Sequence, residues 1–597
     1  MTAATDARSG PVDPRDGPIV RIRRAVRNLQ ARTVAIIGIV AVLVWLVLGP
    51  VAMLVMSSFR ATEGRLPISP GVEWTLDNYI NVLTNPATYA VMWNTFLFAA
   101  GALAISFTLS ITLAWLIERT DLPLRGTLFV VIIASIGMPN VIAGIAYALL
   151  LNPSNGLLNI PLRALLGMDP NDSGPLNAYT LPGMIFVQGI TLVPITYLLV
   201  AAAFRAMDTA MEDAGSTSGA SYRTVMRRIT LPLLTPALLA ALVYQFVTVI
   251  ESFDIPLVLG LRGGVPVLST TVFVETQPAG GLPNYGLASS YAILLLVVAI
   301  GPRLIYNRVL GRGDRYATIT GHSYLPRRIR LGAWKVPAVG LALAYVTIGF
   351  ILPALVMLWT SLQPFYAVPS PESIGRISLD AYVEVLTSSR LQKALGNTII
   401  LGVATGIGAM TVGLLVSWIL VRTRSKLRFA LDVLAFTPHA MPGVLIGLSI
   451  LLIYLILPLP IYGTIWIIVI ALGTQYISIS TRLMSAGIAQ IRSELEEAGA
   501  VSGAAWGAVI RRIVLPLVLP AFLNGFLLVF LLAIKNLTLA LILFSPDSIV
   551  MSTLVWNYWD IGADTAETAV VGMVMVVITL ILSVIVRRVN RETAQLT

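Results

Sequence analysis

Cysteine is absent from all 597 residues, and histidine occurs only as His322 and His439. Without a thiol the chain can form neither a disulfide nor a thiolate metal site or nucleophile, and two isolated histidines cannot supply an HExxH zinc motif. Charged residues are also scarce, at 12% against about 25% in a typical soluble protein. With 57% apolar residues and a mean hydropathy of +0.85, the composition is typical of an integral membrane protein.

Lysine is rare too, and its positions exclude one source of energy. A P-loop requires the pattern G-x-x-x-x-G-K-[ST], in which the lysine directly follows a glycine and reaches the phosphates. The four lysines follow Trp, Gln, Ser and Ile, at Lys335, Lys393, Lys426 and Lys535. The chain therefore contains no P-loop. We expect it to be non-catalytic and to bind no cofactor itself.

Long apolar runs are abundant. A helix that crosses about 30 Å of hydrocarbon at about 1.5 Å per residue needs about 20 apolar residues, and lipid permits only helices and closed barrels. Because barrel-type alternation is missing, we predict an all-α integral membrane protein with twelve spans. The predicted spans are 34–56, 92–116, 128–150, 180–203, 234–254, 287–306, 336–360, 395–420, 431–456, 464–485, 518–543 and 567–586.

The distribution of basic residues predicts the topology. With both termini in the cytoplasm, and with charged residues near the end of a span assigned to the nearer side, 32 of the 40 Lys and Arg residues fall on the cytoplasmic side, 7 fall outside and Lys535 lies within a span. Acidic residues divide evenly, with 14 on each side and Glu251 in a span. A bias in the basic residues alone is what the positive-inside rule describes. We therefore predict a multi-pass membrane protein with both termini in the cytoplasm, and we attribute the net charge of +11 to topology rather than to nucleic-acid binding.

One polar segment occurs twice. Residues 211–236 read MEDAGSTSGASYRTVMRRITLPLLTP and residues 495–520 read LEEAGAVSGAAWGAVIRRIVLPLVLP, with 14 of 26 aligned positions identical at an offset of 284. Both copies lie between apolar runs, on the predicted cytoplasmic side. Two equivalent polar loops on one side of a membrane indicate two equivalent docking points for a partner.

The repeat extends through the preceding spans at an offset of 303. Asn94-Thr95, Arg119-Thr120 and Met138-Pro139 recur as Asn397-Thr398, Arg422-Thr423 and Met441-Pro442. Because each half has an even number of spans, the halves should be parallel six-helix repeats. We predict a cytoplasmic tail at 1–30, a first six-span half at 31–306, a cytoplasmic linker at 307–335, a second six-span half at 336–588 and a second cytoplasmic tail at 589–597.

Each repeated loop carries the signals of a short helix-turn-helix. Gly219 and Gly503 suit a tight turn, since glycine adopts positive φ without steric cost. The acids at the front of the two loops are positioned to pair with basic groups of a partner; they are Glu212, Asp213, Glu496 and Glu497. The alternative interpretation is an ordinary amphipathic loop that was copied by gene duplication and has no partner.

This pattern resembles the EAA loop of permease subunits in binding-protein-dependent ATP-binding cassette (ABC) importers, which reads E-A-A-x3-G and then I-x-L-P. The matching residues are Glu212, Ala214, Gly215 and Gly219 in the first copy, Glu496, Ala498, Gly499 and Gly503 in the second, and the tails Ile229, Leu231, Pro232 and Ile513, Leu515, Pro516. In both copies the second alanine of the family pattern is replaced by glycine.

The resemblance implies that each loop forms a coupling helix docked on a separate ATPase subunit. It implies two ABC subunits that carry ATP and Mg, an extracytoplasmic solute-binding protein, and alternating access within the bilayer. The fused halves, with ESFDIP at 251–256 and SPDSIVMSTLVWNYWD at 545–560, are similar to ferric-iron-type permeases, a group that includes polyamine, thiamine and phosphonate importers. We therefore expect a permease for ferric iron or a related small solute.

Ionisable residues inside spans mark the predicted transport path, since each costs about 2.5–3.5 kcal/mol on insertion scales. Glu251 and Lys535 are related by the offset of 284, so we predict that they face each other near the centre as a gate or a substrate contact. A structural ion pair, or snorkelling to the outer interface, is the alternative. Asp254 and Asn536 are further candidates. Metal ligation is not expected, including at His439.

An ion-coupled secondary transporter with twelve helices is the alternative function. That class would be expected to carry a charged loop between the second and third spans and more ionisable residues in mid-membrane, whereas this loop reads ERTDLPLRG. A membrane-embedded enzyme is disfavoured by the shortage of His, Cys and paired intramembrane carboxylates.

Overall fold

The computed structural model describes residue 34 and residues 36–596, except 208–209, 278–280, 311–328, 423–426, 503, 505, 561 and 563. The predicted tail at 1–30 and most of the predicted linker at 307–335 lie outside these residues. In the part of the chain that is described, there is no β-strand, and the only bridges are isolated ones. The predicted all-α class is confirmed.

Twelve helical segments lie where the sequence predicts spans, and we number them in chain order. They are α1 (Ile36–Ser58), α2 (Pro86–Arg119), α3 (Arg125–Gly137 with Asn140–Leu150), α4 (Leu181–Ala206), α5 (Arg223–Ile250), α6 (Tyr285–Leu310), α7 (Gly332–Ser361), α8 (Ser389–Arg422), α9 (Arg428–Ala440 with Gly443–Ile456), α10 (Ile465–Ala489), α11 (Gly507–Ile534) and α12 (Thr565–Leu596). Among the described residues, nine of these are unbroken and both long and apolar enough to cross a membrane. α3 and α9 are each broken once, and the apolar part of α6 is shorter.

α3 and α9 bend at their Met-Pro pairs, by 99° and 104° respectively. Met138 and Met441 have extended backbones, with ψ of 121° and 120°. The cause is the following proline, whose ring disfavours helical geometry in the preceding residue and which lacks the N–H needed to continue the helix. The repeated Met-Pro pairs therefore produce two equivalent breaks, one in each half.

Two helix ends differ from the predicted spans. α11 ends at Ile534 rather than near 543, and a separate short helix follows at Thr538–Ile542. α12 continues to Leu596, so most of the tail predicted at 589–597 extends that helix. Hydropathy locates the apolar part of a helix, but it does not mark where a polar extension stops or where an apolar run leaves helical geometry.

The first helix of each half packs against the other half. Leu43 of α1 is buried among side chains of α8, α9, α10 and α11. In the same way Ala342 of α7 is buried among side chains of α2, α3 and α4. The Tyr147 hydroxyl in α3 also donates a 2.7 Å hydrogen bond to the Ile348 carbonyl in α7. The two halves are therefore interlocked rather than simply side by side.

The halves also repeat their internal hydrogen bonds. The Leu268 amide donates to the Thr95 hydroxyl, and the Met551 amide donates to the Thr398 hydroxyl, each at 2.9 Å. The two threonines are related by the same 303-residue offset that the sequence shows. The predicted architecture of two parallel six-helix repeats is confirmed.

The start of α7 is held against the loop that follows α2. Lys335 Nζ lies 2.8 Å from Asp121 Oδ2, and the Leu331 amide donates to Asp121 Oδ1 at 2.9 Å. The hydrogen bond from Lys335, followed by the one from Leu331, holds the pKa of the Asp121 carboxyl below its ordinary value. The second half thus begins at the same end of the bundle as the loop between α2 and α3.

Candidate coupling site and transport path

The first repeated loop folds into two short helices joined by a turn. The first loop helix is Ala210–Thr217, and the next helical turn is Tyr222–Val225. Between them Gly219 has a φ of +82°, which glycine adopts without steric cost. The Ala220 amide donates to the Gly215 carbonyl at 3.1 Å, in the pattern of a Schellman cap. The turn glycine therefore ends the helix as the sequence predicts.

The second repeated loop has the same form. The second loop helix is Ser493–Val501, and the Ala504 amide donates to the Gly499 carbonyl at 3.1 Å. This bond is the equivalent of the one that closes the first loop helix. Gly503, the predicted turn residue, lies outside the described residues, so its role stays a prediction.

Glu212 in the first loop helix is paired within its own half. Its Oε2 lies 3.5 Å from Nη1 of Arg119, and its Oε1 accepts a 2.6 Å hydrogen bond from the Thr230 hydroxyl. Arg119 is the last residue of α2 and is only 5% exposed. Its Nη2 also donates to the Phe204 carbonyl in α4 at 3.1 Å. One arginine thus joins the loop helix to the ends of two membrane helices.

Glu496 in the second loop helix is held in the equivalent way. Its Oε1 lies 2.7 Å from Nε of Arg422, the last residue of α8. Arg422 Nη2 donates to the carbonyls of Ile488 and Ile491, at 3.2 Å and 2.6 Å, at the end of α10. Both side chains of the ion pair are largely buried, at 15% and 16% exposure. The loop helix, α8 and α10 therefore meet at one arginine.

Sequence reasoning assigned no role to these two arginines, although it noted that Arg119 and Arg422 recur. The arginines are related by an offset of 303 but their glutamates by 284, so no single alignment of the repeat shows the pairs. A charged residue repeated at the same end of two apolar spans was the available signal.

The surface that the loop helices expose is formed by the neighbours of the two glutamates. Asp213, Ala214, Glu497 and Ala498 are exposed. The interpretation that all four acids are presented to a partner is therefore revised. Glu212 and Glu496 anchor the loops internally, whereas Asp213 and Glu497 remain available at the surface.

The glycine that replaces the family's second alanine lies where each loop helix packs on the following helix. A Cβ atom at Gly215 would lie 2.8 Å from Cδ1 of Ile229, and one at Gly499 would lie 2.7 Å from Cδ1 of Ile513. Contacts under 3.0 Å require the neighbour to shift. The departure from the family pattern thus coincides with close packing in both copies.

In the candidate path, Glu251 and Lys535 occupy equivalent helix ends but do not pair. Each directly follows the last residue of its helix, α5 or α11. Within the described residues no ion pair joins them, and the Lys535 ammonium instead donates to the Ile136 carbonyl in the bend of α3, at 3.0 Å. The prediction that the two charges face each other is therefore corrected, since equivalence in a repeat does not fix distance from the axis.

Residues three positions further along do meet. The Thr538 hydroxyl donates to Asp254 Oδ1 at 3.3 Å, and these positions share the offset of 284. Asp254 also interacts electrostatically with Lys535. The Asn536 amide donates to Gln475 Oε1 at 3.4 Å. Three of the four predicted path residues are thus bonded around the junction of the halves.

Glu251, the fourth, lines a cavity of about 240 Å³ at the interface between the halves. The cavity lies between α5 and α6 of the first half and the bend of α9 in the second, where His439 also lines it. In the described part of the chain, no group of three or more His, Asp or Glu residues is placed to hold a metal ion.

Comparison with known proteins places these features in a family. Residues 107–312 and 409–595, more than half of the chain, match the family described as binding-protein-dependent transport system inner membrane component. The matched ranges include both repeated loops and all of the candidate path residues.

Several curated relatives are similar at modest identity. A ferric transport system permease protein of Actinobacillus pleuropneumoniae is 25% identical over 332 residues, covering 54% of this chain and 46% of the relative. A Haemophilus influenzae relative with a provisional name of the same kind is 26% identical over 326 residues, covering 54% and 50%. The chain thus spans about half the length of these two relatives.

A third relative is matched over more of its length. A probable ABC transporter permease protein of Sinorhizobium fredii is 24% identical over 473 residues, covering 77% of this chain and 80% of the relative. Together with the helical repeats and the paired loops, the family match decides the classification. The chain belongs to the family of inner membrane components of binding-protein-dependent transport systems.

Proposed function

We propose that the chain is the permease subunit of an ATP-driven solute importer in the bacterial inner membrane, with both termini in the cytoplasm. The observation that carries this proposal is the pair of equivalent loop helices, each with an exposed outer face and a glutamate anchored to the membrane helices. Two separate ATPase subunits dock on these faces and hold the ATP and Mg, because this sequence has no P-loop.

The anchoring arginines supply the mechanical connection. Closure of the ATPase subunits draws the two loop helices together. Since Arg119 joins the first loop helix to α2 and α4, the movement reaches two membrane helices at once, and Arg422 does the same for α8 and α10. The halves then alternate between access from outside and access from inside.

An extracytoplasmic binding protein hands the solute to the outer face. Ferric iron is the first candidate cargo, because two relatives bear ferric transport names. Polyamines, thiamine and phosphonates are the other candidates, from the resemblance of the fused halves to ferric-iron-type permeases.

Site-specific cross-linking tests the docking surfaces, and the absence of native cysteine makes every introduced thiol unique. We expect a benzophenone maleimide on Asp213→Cys or Glu497→Cys to capture an ATP-hydrolysing subunit in native membranes. Glu372→Cys is the matched control, because Glu372 is exposed but lies on the segment between α7 and α8. Capture from the control alone, or from none of the three, would contradict the docking surfaces.

Uptake into membrane vesicles separates an ATP-driven importer from an ion-coupled secondary transporter. We expect uptake of labelled iron to require ATP and the copurified ATPase subunit, and to persist when proton and sodium gradients are collapsed. Uptake driven by a gradient without ATP would favour the secondary transporter instead.

A further inference from the structure

The cavity beside Glu251 combines an acidic side chain with aromatic rings at the junction of the halves. Its volume is about 240 Å³, smaller than the roughly 300–1,000 Å³ of sites for drug-sized ligands. Tyr244, Thr248 and Glu251 line it from α5, and Phe436 and His439 line it from α9. Because both halves contribute, relative movement of the halves must change its shape.

Glu251 places a carboxyl group in the cavity for which the described part of the chain supplies no partner. Its side chain is half-buried, and no hydrogen bond or ion pair joins it to any residue in the described part of the chain. A carboxylate removed from water is costly unless a cation or hydrogen-bond donors compensate it. A positively charged ligand in the cavity would supply that compensation.

The rings around the cavity suit a cation as well. The rings of Tyr244 and His439 are stacked, with centroids 5.4 Å apart and an angle of 20° between their planes. The Phe436 ring lies 5.5 Å from that of His439. Aromatic faces attract cations through their quadrupoles, and the attraction is stronger where water is excluded. One of these rings already contacts a cation, since Cζ of Arg482 lies 4.5 Å from the centroid of the Phe436 ring.

The equivalent position in the other half does not offer a second site of this kind. The repeat places Lys535 where Glu251 lies, and Ile136 where His439 lies. The Lys535 ammonium donates a hydrogen bond to the Ile136 carbonyl, so it already has a partner within the protein. Of these two equivalent ionisable residues, only Glu251 is without a partner among the described residues.

We infer that this cavity binds the positively charged part of the transported solute during passage, with Glu251 as its counter-ion. The inference rests on the proposed function, because it takes the junction of the halves as the transport path. It selects cationic cargo, such as a metal cation or a protonated amine, and it excludes anions such as phosphonates.

Direct binding to the purified full-length chain in lipid nanodiscs tests this. The probes are radiolabelled spermidine, Fe³⁺ supplied from its nitrilotriacetate complex, and methylphosphonate as the anion. We expect one of the two cations to bind saturably, with one site per chain, and methylphosphonate not to bind. The cation that binds identifies the cargo as an organic amine or as a metal ion. Glu251→Gln should weaken that binding at least tenfold.

Glu372→Gln is the matched control, because it removes an exposed carboxylate outside the cavity and should leave binding unchanged. Thr248→Lys places a cation inside the cavity and should also abolish binding, which gives a second variant if Glu251→Gln does not fold. Saturable binding of neither cation, binding of the anion, or unchanged affinity in both cavity variants would overturn the inference. Because the assay contains neither ATPase nor binding protein, its failure is distinct from failure of the cross-linking experiment.

Discussion

A single methyl group determines how closely each loop helix can lie against the helix that follows it. Gly215 and Gly499 occupy the contact, and the terminal methyl groups of Ile229 and Ile513 fill the space where a side chain would start. The same contact in both copies fixes how closely, and at what angle, each loop helix packs on the helix that follows it.

We expect Gly215→Ala to reduce ATP-dependent uptake several-fold, because the new Cβ would lie 2.8 Å from Ile229 Cδ1 and overpacking costs about 1–3 kcal/mol. Adding Ile229→Val removes Cδ1 and should restore most of the uptake. Vesicle uptake with the ATPase subunit present is the measurement. Equal uptake by the single and double variants, both below wild type, would show that the contact is not the cause.

Gly219→Ala serves as a contrasting variant at the same scale. No atom lies within 4 Å of a Cβ at this position, but its φ of +82° disfavours any L-residue with a side chain. The cost of about 1–2 kcal/mol is therefore in the backbone. Adding Ile229→Val to Gly219→Ala should therefore not restore ATP-dependent uptake.

At the scale of elements, the ion pairs at the ends of α2 and α8 attach the loop helices to the membrane helices. Glu212 and Glu496 are oriented towards the membrane helices, so their loss should detach the loops rather than remove a contact with the ATPase. This distinguishes an anchoring role from a docking role for the same residues.

We expect Glu212→Gln with Glu496→Gln to lower uptake about tenfold while ATP hydrolysis continues, since a partly buried ion pair supports each loop. The exchanged variant Arg119→Glu with Glu212→Arg restores opposite charges and should recover more uptake than either single change. The uptake per ATP hydrolysed is the measurement. Wild-type coupling in the double glutamine variant would rule out the anchor.

Sequence alone located these elements well and their contacts poorly. Hydropathy locates all twelve helical segments, although among the described residues the apolar part of α6 is shorter than a full span, and the bends at Met138 and Met441 follow from the prolines after them. The partners of Arg119 and Lys535 could not be found, because each contact joins positions distant in sequence. The repeat aligned Glu251 with Lys535 correctly, yet the residues that meet are Asp254 and Thr538.

At the scale of the whole molecule, interlocking makes the two halves one mechanical unit. α1 covers the second half and α7 covers the first, so neither half has its full set of neighbours when separated. The linker therefore does not by itself hold the halves together. Membership of the family could be predicted from the repeated loop, whereas this exchange of helices has no signal in composition or motif.

Cross-linking tests the exchange. A Cβ at Gly49 in α1 would lie 3.8 Å from Ile453 Cδ1 in α9. We expect Gly49→Cys with Ile453→Cys to join the halves in a chain whose predicted linker at 307–335 carries an inserted protease site. After cleavage the two fragments should migrate together on a non-reducing gel. Gly49→Cys with Leu495→Cys in the second loop helix is the control, and its two fragments should separate. Separation of the fragments of the Gly49→Cys, Ile453→Cys variant would refute the packing of α1 against the second half.

Because the two halves are fused in one chain, equivalent positions at their junction can carry different side chains. A permease assembled from two copies of one chain must place the same side chain at both related positions, so an acid in one copy would always be repeated in the other. Joining the copies in one polypeptide lets each drift independently, and here one site became glutamate while its counterpart became lysine. The two sides of the junction between the halves can therefore differ in charge, which two identical subunits could not achieve.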